Sequence, residues 1–228
     1  MTNEFLVGKN LKYEWRNDDI FSKRAKKVLW TIDEISIRQP GIILLAGRNG
    51  VGKSTLLRCL LGLMRPTHGE VFWFGEQQIP RGKIGYIPEL PVLPTRVKVR
   101  EFLSSLLGKS AVEIEKLQND FFKKETLQIT SLLDRDVQLL SKGQQQRLLL
   151  TLALAGSPKG FVLDEPFSGL DPWARAELAE LLAELCTRGH FLLISSHDAP
   201  ARLRLEVKET WLIENEQLLV QPGCIIPE

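Results

Sequence analysis

Cysteine is scarce in this 228-residue chain. The three present, Cys59, Cys186 and Cys224, lie far apart and form no C-x-x-C pair. That argues against a thiolate zinc site or a disulfide framework and fits a reducing compartment. Charge of one sign is lacking too. Lys and Arg number 30 against 28 Asp and Glu, a net +2, so the concentrated basic excess of a nucleic-acid-binding domain is absent and no nucleic-acid partner is expected. Long apolar runs are missing. The longest, GIILLAG at 41–47 and LLLTLALAG at 148–156, fall well short of the about 18–20 residues that cross a bilayer. The opening MTNEF has no basic start and apolar run of a signal peptide. Any membrane role is therefore expected to pass through a partner. No internal repeat or low-complexity tract is seen. What remains is an ordinary globular composition, 43% hydrophobic and 25% charged, at a length able to bury a core without staples.

Short apolar runs with strand character alternate with helical patterns. Strands are expected at 32–37, 42–46, 70–74, 83–87, 160–164, 191–195 and 210–213. The runs 42–46, 161–163 and 191–194 are almost wholly apolar, as strands covered on both faces of a parallel sheet are. Helices are expected at 53–64, with Leu56, Leu57, Leu60, Leu61 and Met64 at helical spacing, and at 174–188, started by Asp171 as N-cap and Pro172 in the first turn. The alternation implies an α/β fold. Residues 1–40 read as strands around a polar loop, and 98–158 as mostly helical. The expected organisation is one unit over 1–228, with a β-subdomain part at 1–40, an α/β core at 41–97 and 159–228, and a helical subdomain inserted at 98–158. The basic run SKRAKK at 22–27 reads as a solvated loop.

Three motifs carry chemistry. The first, GRNGVGKST at 47–55, fits G-x-x-x-x-G-K-[ST] between an apolar strand and a helix. Glycines let backbone N–H groups wrap a phosphate chain, and the helix N-terminus adds positive charge. Gly47, Asn49, Gly50, Gly52, Lys53, Ser54 and Thr55 are the candidate phosphate-binding residues, with Lys53 reaching the β- and γ-phosphates and Ser54 ligating Mg²⁺. In the second, an apolar strand ends in Asp164 and Glu165, at the carboxyl edge where open α/β sheets bind ligands. Asp164 is the candidate Mg²⁺ residue and Glu165 the candidate general base on the attacking water. The third is LSKGQQQR at 140–147. Ser141 and Gln144 form a capping box opening an apolar helix, and Gly143 leaves its N-terminus open to an anion.

In this order the three motifs resemble the nucleotide-binding domain of the ATP-binding cassette (ABC) family over roughly residues 5–220. The lysine loop resembles Walker A, 140–144 the family signature, and 161–165 Walker B. The fold implied is a P-loop NTPase core with a mostly parallel sheet, an N-terminal antiparallel β-subdomain and an inserted α-helical subdomain. The resemblance implies further roles. Residues 168–171 (SGLD) match the D-loop, placing Asp171 near nucleotide. His197, after Ser195 and Ser196, matches the switch histidine; His68 and His190 read as turn residues. An aromatic near the N-terminus stacks on adenine in the family, assigned by position to Trp15, with Tyr13 as the fallback.

Three positions depart from the family pattern. Glu89, in IGYIPE, stands where most members have Gln; its carboxylate can still bind Mg²⁺ or water but repels the γ-phosphate. Lys142 replaces the first glycine of the signature, adding positive charge near the facing phosphate. Phe167 replaces a small polar residue. None removes a catalytic group, so an active Mg²⁺-dependent ATPase is expected.

The resemblance also implies a head-to-tail dimer, in which ATP on one copy's 47–55 loop is closed over by Ser141 and Gly143 of a second copy. The reading it implies is the ATPase subunit of a membrane transporter, cytoplasmic and held at the inner face of the cell membrane by separate integral membrane subunits. The segments IGYIPELPVLP and LSKGQQQR resemble exporter-type ATPases. A non-transport ABC ATPase acting in assembly or envelope signalling is the alternative. A small-molecule kinase would account for Walker A but not for the signature. Little chain follows Gln217, so no added regulatory domain is expected.

Overall fold

The computed structural model describes residues 4–16, 26–77, 79, 82–121, 128–156, 158–196 and 205–224. Nine strands among them form one mixed sheet in the order β4-β1-β2-β9-β8-β3-β7-β6-β5. The core strands are β3 (Gly41–Gly47), β5 (Ile84–Ile87), β6 (Gly160–Asp164), β7 (Phe191–Ser195) and β8 (Val207–Glu214), all paired in parallel. All five residues of β6 and of β7 are buried. Their unbroken apolar sequences are what two covered faces require. β1 (Leu6–Arg16), β2 (Lys26–Ile37) and β4 (His68–Trp73) form an antiparallel wing. It joins the rest through β9 (Gln217–Pro222), by the parallel pairing of Thr31 with Gln217 and a 2.7 Å bond from Thr31 N–H to the Glu216 carbonyl.

β9 was not among the expected strands. It returns antiparallel to β8 through a two-residue turn in which Asn215 (φ 48°) and Glu216 (φ 63°) are both left-handed. Such a turn matches the strand twist and favours Asn-Gly. Here Glu occupies the Gly position, which hides the signal. β1 and β2 also run longer than the apolar pattern of 32–37 suggested, because two-stranded pairing continues over their polar outer halves.

The helices are α1 (Lys53–Leu60), α2 (Val99–Leu107), α3 (Ala111–Phe121), α4 (Lys142–Ala155) and α5 (Pro172–Thr187). α5 starts as its sequence dictates. Asp171 Oδ1 accepts the Ala174 N–H at 2.9 Å, and Pro172 fills the first turn. α4 begins at the expected capping box. Ser141 Oγ accepts the Gln144 N–H at 3.3 Å, and Gln144 Oε1 accepts the Ser141 N–H at 3.0 Å. α1 is shorter than the apolar spacing suggested and closes at Leu61, whose N–H reaches the Leu57 carbonyl.

Three apolar clusters result. One lies between the sheet and α4 and α5, around Leu150, Phe161, Leu163, Leu178, Leu182 and Ile194. The second lies against the other face, with α1 and the antiparallel wing, around Trp30, Leu45, Leu56, Trp73, Phe191 and Trp211. The third holds α2, α3 and the start of α4 together through Val99, Leu103, Ile114, Ile129, Val137 and Leu148. Phe191 ties the core to the wing. It stacks on Trp73 (ring centroids 5.7 Å apart) and packs tilted on Phe5 at 5.0 Å. Its ring also fills the space over Gly160, where a Cβ would fall 2.2 Å from Cε1. Gly160→Ala is therefore expected to destabilise the chain by about 1–3 kcal/mol, the usual cost of overpacking, as a lowered urea midpoint.

Candidate nucleotide site

The lysine loop leaves β3 at Gly47 under tight local constraint. Gly47 has φ 145°, and a Cβ there would sit 2.9 Å from the Ile213 carbonyl of β8. Gly52, the α1 N-cap, is left-handed (φ 101°), and a Cβ on it would crowd the Trp30 ring at 3.1 Å. Trp30 is fully buried, and its Nε1–H donates to the Gly52 carbonyl at 3.2 Å. This indole is a support the sequence did not mark. With glycine as N-cap, no side chain caps α1. The first N–H groups of the helix have no acceptor within it, which is the chemistry of an anion site.

Lys53 folds back over the loop. Its Nζ donates to the Gly47 carbonyl at 2.9 Å and to the Arg48 carbonyl at 3.4 Å, and the residue is only 7% exposed. Burial lowers its pKa; the nearby carboxylates of Glu165, Asp164 and Glu89 partly offset the effect. The loop residues Asn49, Gly50, Gly52, Lys53, Ser54 and Thr55 line one cleft with Glu89 and Glu165, of about 370 Å³. The strand end and the lysine loop, separate in sequence, thus meet.

Asp164 closes β6 at 1% exposure. Its Oδ1 accepts the Ser195 hydroxyl at 2.6 Å, while Oδ2 is buried with no hydrogen-bond partner among the described residues. Asp164 and Glu89 both act on the Lys53 charge, and Ser54 lines the cleft with Glu89; these are oxygen donors, and the orphaned Asp164 oxygen among them fits a hard divalent cation such as Mg²⁺, which takes few protein ligands and completes its shell with phosphates and water. No cluster of three or more His, Cys, Asp and Glu able to hold a metal occurs among the described residues.

Other expected site residues fall elsewhere. Ser141, Gly143, Gln144 and Asp171 do not line this cleft. They form a second unit in which the start of α4 packs on the 168–171 turn. Lys142 Nζ donates to Ser168 Oγ at 2.8 Å, and its stem covers Gly169, where a Cβ would lie 2.7 Å from Lys142 Cδ. The ammonium keeps its charge, since Ser168 is neutral, and the residue stays exposed at the start of α4. Asp171 uses Oδ1 for its cap. Phe167 is 2% exposed and belongs to the sheet cluster, which explains an aromatic at that position. Trp15 lies on β1, half-exposed, and does not line the cleft; Tyr13 packs on Trp30 at 5.8 Å. At that end the cleft is lined by Leu29, which the sequence did not single out. His197 lies outside the described residues.

The sequence pattern of the ABC transporter family matches residues 32–168. The chain belongs to the ABC transporter family. The matched stretch holds the lysine loop, the 140–147 segment and the acidic strand end. It is 37% identical over 81% of its length to a Nod factor export ATP-binding protein of Bradyrhizobium diazoefficiens, covering 60% of that protein. It is 33% identical over 82% of its length to a zinc transport system ATP-binding protein of Treponema pallidum, covering 73% of it. Uncharacterised ABC transporter ATP-binding proteins of Alkalihalophilus pseudofirmus and Bacillus subtilis are matched over 58%, 56% and 54% of their lengths, so the chain spans little more than half of these relatives. The fold is that of a dimeric bacterial ABC transporter cassette, with TM-score 0.80 at 21% identity, covering 95% of this chain and 98% of that one. No helix among the described residues is long and apolar enough to cross a membrane.

The ammonium form of Lys53 is the one that holds an anion. Affinity for metal-free ATP is expected to stay level below its folded-state pKa and to fall as pH rises through it, beginning below lysine's ordinary 10.5 because burial lowers that pKa. Fluorescent-nucleotide titrations across this range read the effect. Lys53→Met should bind weakly at every pH without the alkaline limb, and a limb that survives in this variant assigns it to another group.

Proposed function

We propose that this chain is the ATPase subunit of a membrane transporter, working as a head-to-tail pair with a second copy. The observation that carries the reading is the meeting of Lys53 and Glu165 at one cleft, with Asp164 near enough to act on the Lys53 charge, while the signature, around Ser141 and Gly143, stands outside it. The cradle holds one face of a triphosphate, and a helix N-terminus from a second copy covers the other.

In this reading the 47–55 backbone and Lys53 bind the phosphates. Glu165 polarises the attacking water and accepts its proton, with His197 contacting the γ-phosphate side. Ser54, Asp164 and Glu89 would hold Mg²⁺, which neutralises phosphate charge when bound. Trp15 or Tyr13 stacks on adenine. Asp171 and Gln144 shape the opposed face. Residues 98–158 act as a helical subdomain that passes closure and opening to integral membrane subunits at the inner face of the cell membrane. Outward transport is the direction we take, on the exporter-like segments 84–94 and 140–147 and the kinship with a Nod factor export protein; a zinc import ATP-binding protein of Psychrobacter arcticus, 37% identical over 67% of this chain and covered over 60% of its own length, supports the opposite direction. The alternative of a cassette serving assembly or envelope signalling is separated by its partners.

Glu165→Gln is the test. It should lower hydrolysis about 100-fold or more and trap an ATP-dependent dimer in gel filtration. A variant that stays monomeric with ATP and Mg²⁺ refutes the paired site. Purified with ATP from detergent-solubilised cells, the same variant should retain a multi-span membrane protein in stoichiometric amount. Retention of soluble proteins alone overturns the transport reading.

A further inference from the structure

Ser195 is the last residue of β7, and the parallel register of β6 and β7 sets it beside Asp164. It is fully buried and is the polar end of an otherwise apolar strand. Its Oγ donates to Asp164 Oδ1 at 2.6 Å, the short length of a hydroxyl–carboxylate bond. The same oxygen accepts the Glu165 backbone N–H at 3.0 Å, and the Ser195 carbonyl lies 3.2 Å from that N–H. One hydroxyl therefore reaches both acidic positions.

Two consequences follow. The bond to Oδ1 fixes the plane of the Asp164 carboxylate and leaves Oδ2, buried and without a hydrogen-bond partner among the described residues, as the oxygen that faces a cation. Outer partners of this kind set the orientation of a metal-binding carboxylate. The bond from Glu165 holds a residue whose φ of 50° is uncommon for a non-glycine. Such a conformation persists only where neighbours over-determine it, and it fixes the direction in which the Glu165 side chain leaves the strand.

We propose that Ser195 is a positioning residue of the hydrolytic site, orienting Asp164 toward the divalent cation and holding Glu165 in the backbone conformation from which it acts on water. This rests on the ATPase reading above. A merely structural hydroxyl would affect stability and leave cation binding alone.

The test measures Mn²⁺ binding to the ATP-loaded protein by electron paramagnetic resonance, beside metal-free ATP affinity and thermal unfolding. Ser195→Ala should weaken Mn²⁺ binding about tenfold or more, as loss of an outer-shell partner does, and shift metal-free ATP affinity by less than about twofold, since the lysine loop is untouched. Ser195→Thr, which keeps the hydroxyl, should restore Mn²⁺ binding to near the native level. Unchanged Mn²⁺ affinity in Ser195→Ala overturns the proposal, as does an equal loss of metal-free ATP binding or a failure of threonine to restore. If the alanine variant does not fold, Ser195→Cys is read in its place; if neither folds, the hydroxyl is structural and the proposal falls. Native protein that binds no Mn²⁺ with ATP would sink the ATPase reading itself, whereas native binding with an unaffected Ser195→Ala sinks this inference alone.

Discussion

The parallel register of β3, β7 and β6 is the constraint from which the site follows. Leu45 pairs with Ser195, and Ser195 with Asp164. β6 and β7 therefore end level, and β3 runs two residues further, to Gly47, at the same edge of the sheet. The lysine loop, the segment after Ser195 and the acidic pair all leave from that edge. In an open α/β sheet this is where a ligand meets several loops at once. A slip of one residue between β6 and β7 would turn Asp164 to the opposite face and break the 2.6 Å contact with Ser195. The apolar completeness of β6 and β7 is thus more than core filling, because burial on both faces is what pins that register.

The electrostatics of the cleft follow from the same geometry. One partly buried ammonium, Lys53, faces the carboxylates of Asp164, Glu165 and Glu89. A polyphosphate entering such a site brings further negative charge, and Lys53 alone does not balance it. The uncapped start of α1 supplies about half a positive charge and N–H donors. In the proposed reading a divalent cation would supply the rest, with the buried Oδ2 of Asp164 as one oxygen for it. Glu89 adds to the negative charge, since glutamine there would remove one of the three carboxylates.

Much of this was legible in the sequence. The P-loop spacing, the acidic strand end and the capping box are local patterns, and each forms where its residues stand. Ser141, Gln144, Asp171 and Pro172 all begin helices as their side chains dictate. What was hidden depends on contacts across long sequence separations. Trp30 supports Gly52 from 22 residues away, and Ser195 holds Asp164 from 31. No local spacing encodes either. β9 was hidden because its turn uses Asn-Glu in place of Asn-Gly. The Lys142 contact was hidden because its partner, Ser168, lies beyond the helix it starts. His197 falls outside the described residues, so its place in the site stays a matter of sequence resemblance.

α4 joins the two halves of the chemistry physically. Its N-terminus carries the signature and rests on the 168–171 turn through Lys142 and Gly143. Leu148 packs into the cluster shared with α2 and α3, whereas Leu149, Leu150, Ala153 and Leu154 pack against the sheet. A helix buried on nearly all sides cannot slide freely against one neighbour without disturbing the other. In the proposed pair, a displacement of α2 and α3 would reach the sheet through α4. The turn at 168–171 adds a second link, because it follows Glu165 and ends in the Asp171 cap of α5. In a paired arrangement, closure over one copy's nucleotide would be felt at the other cleft through that route.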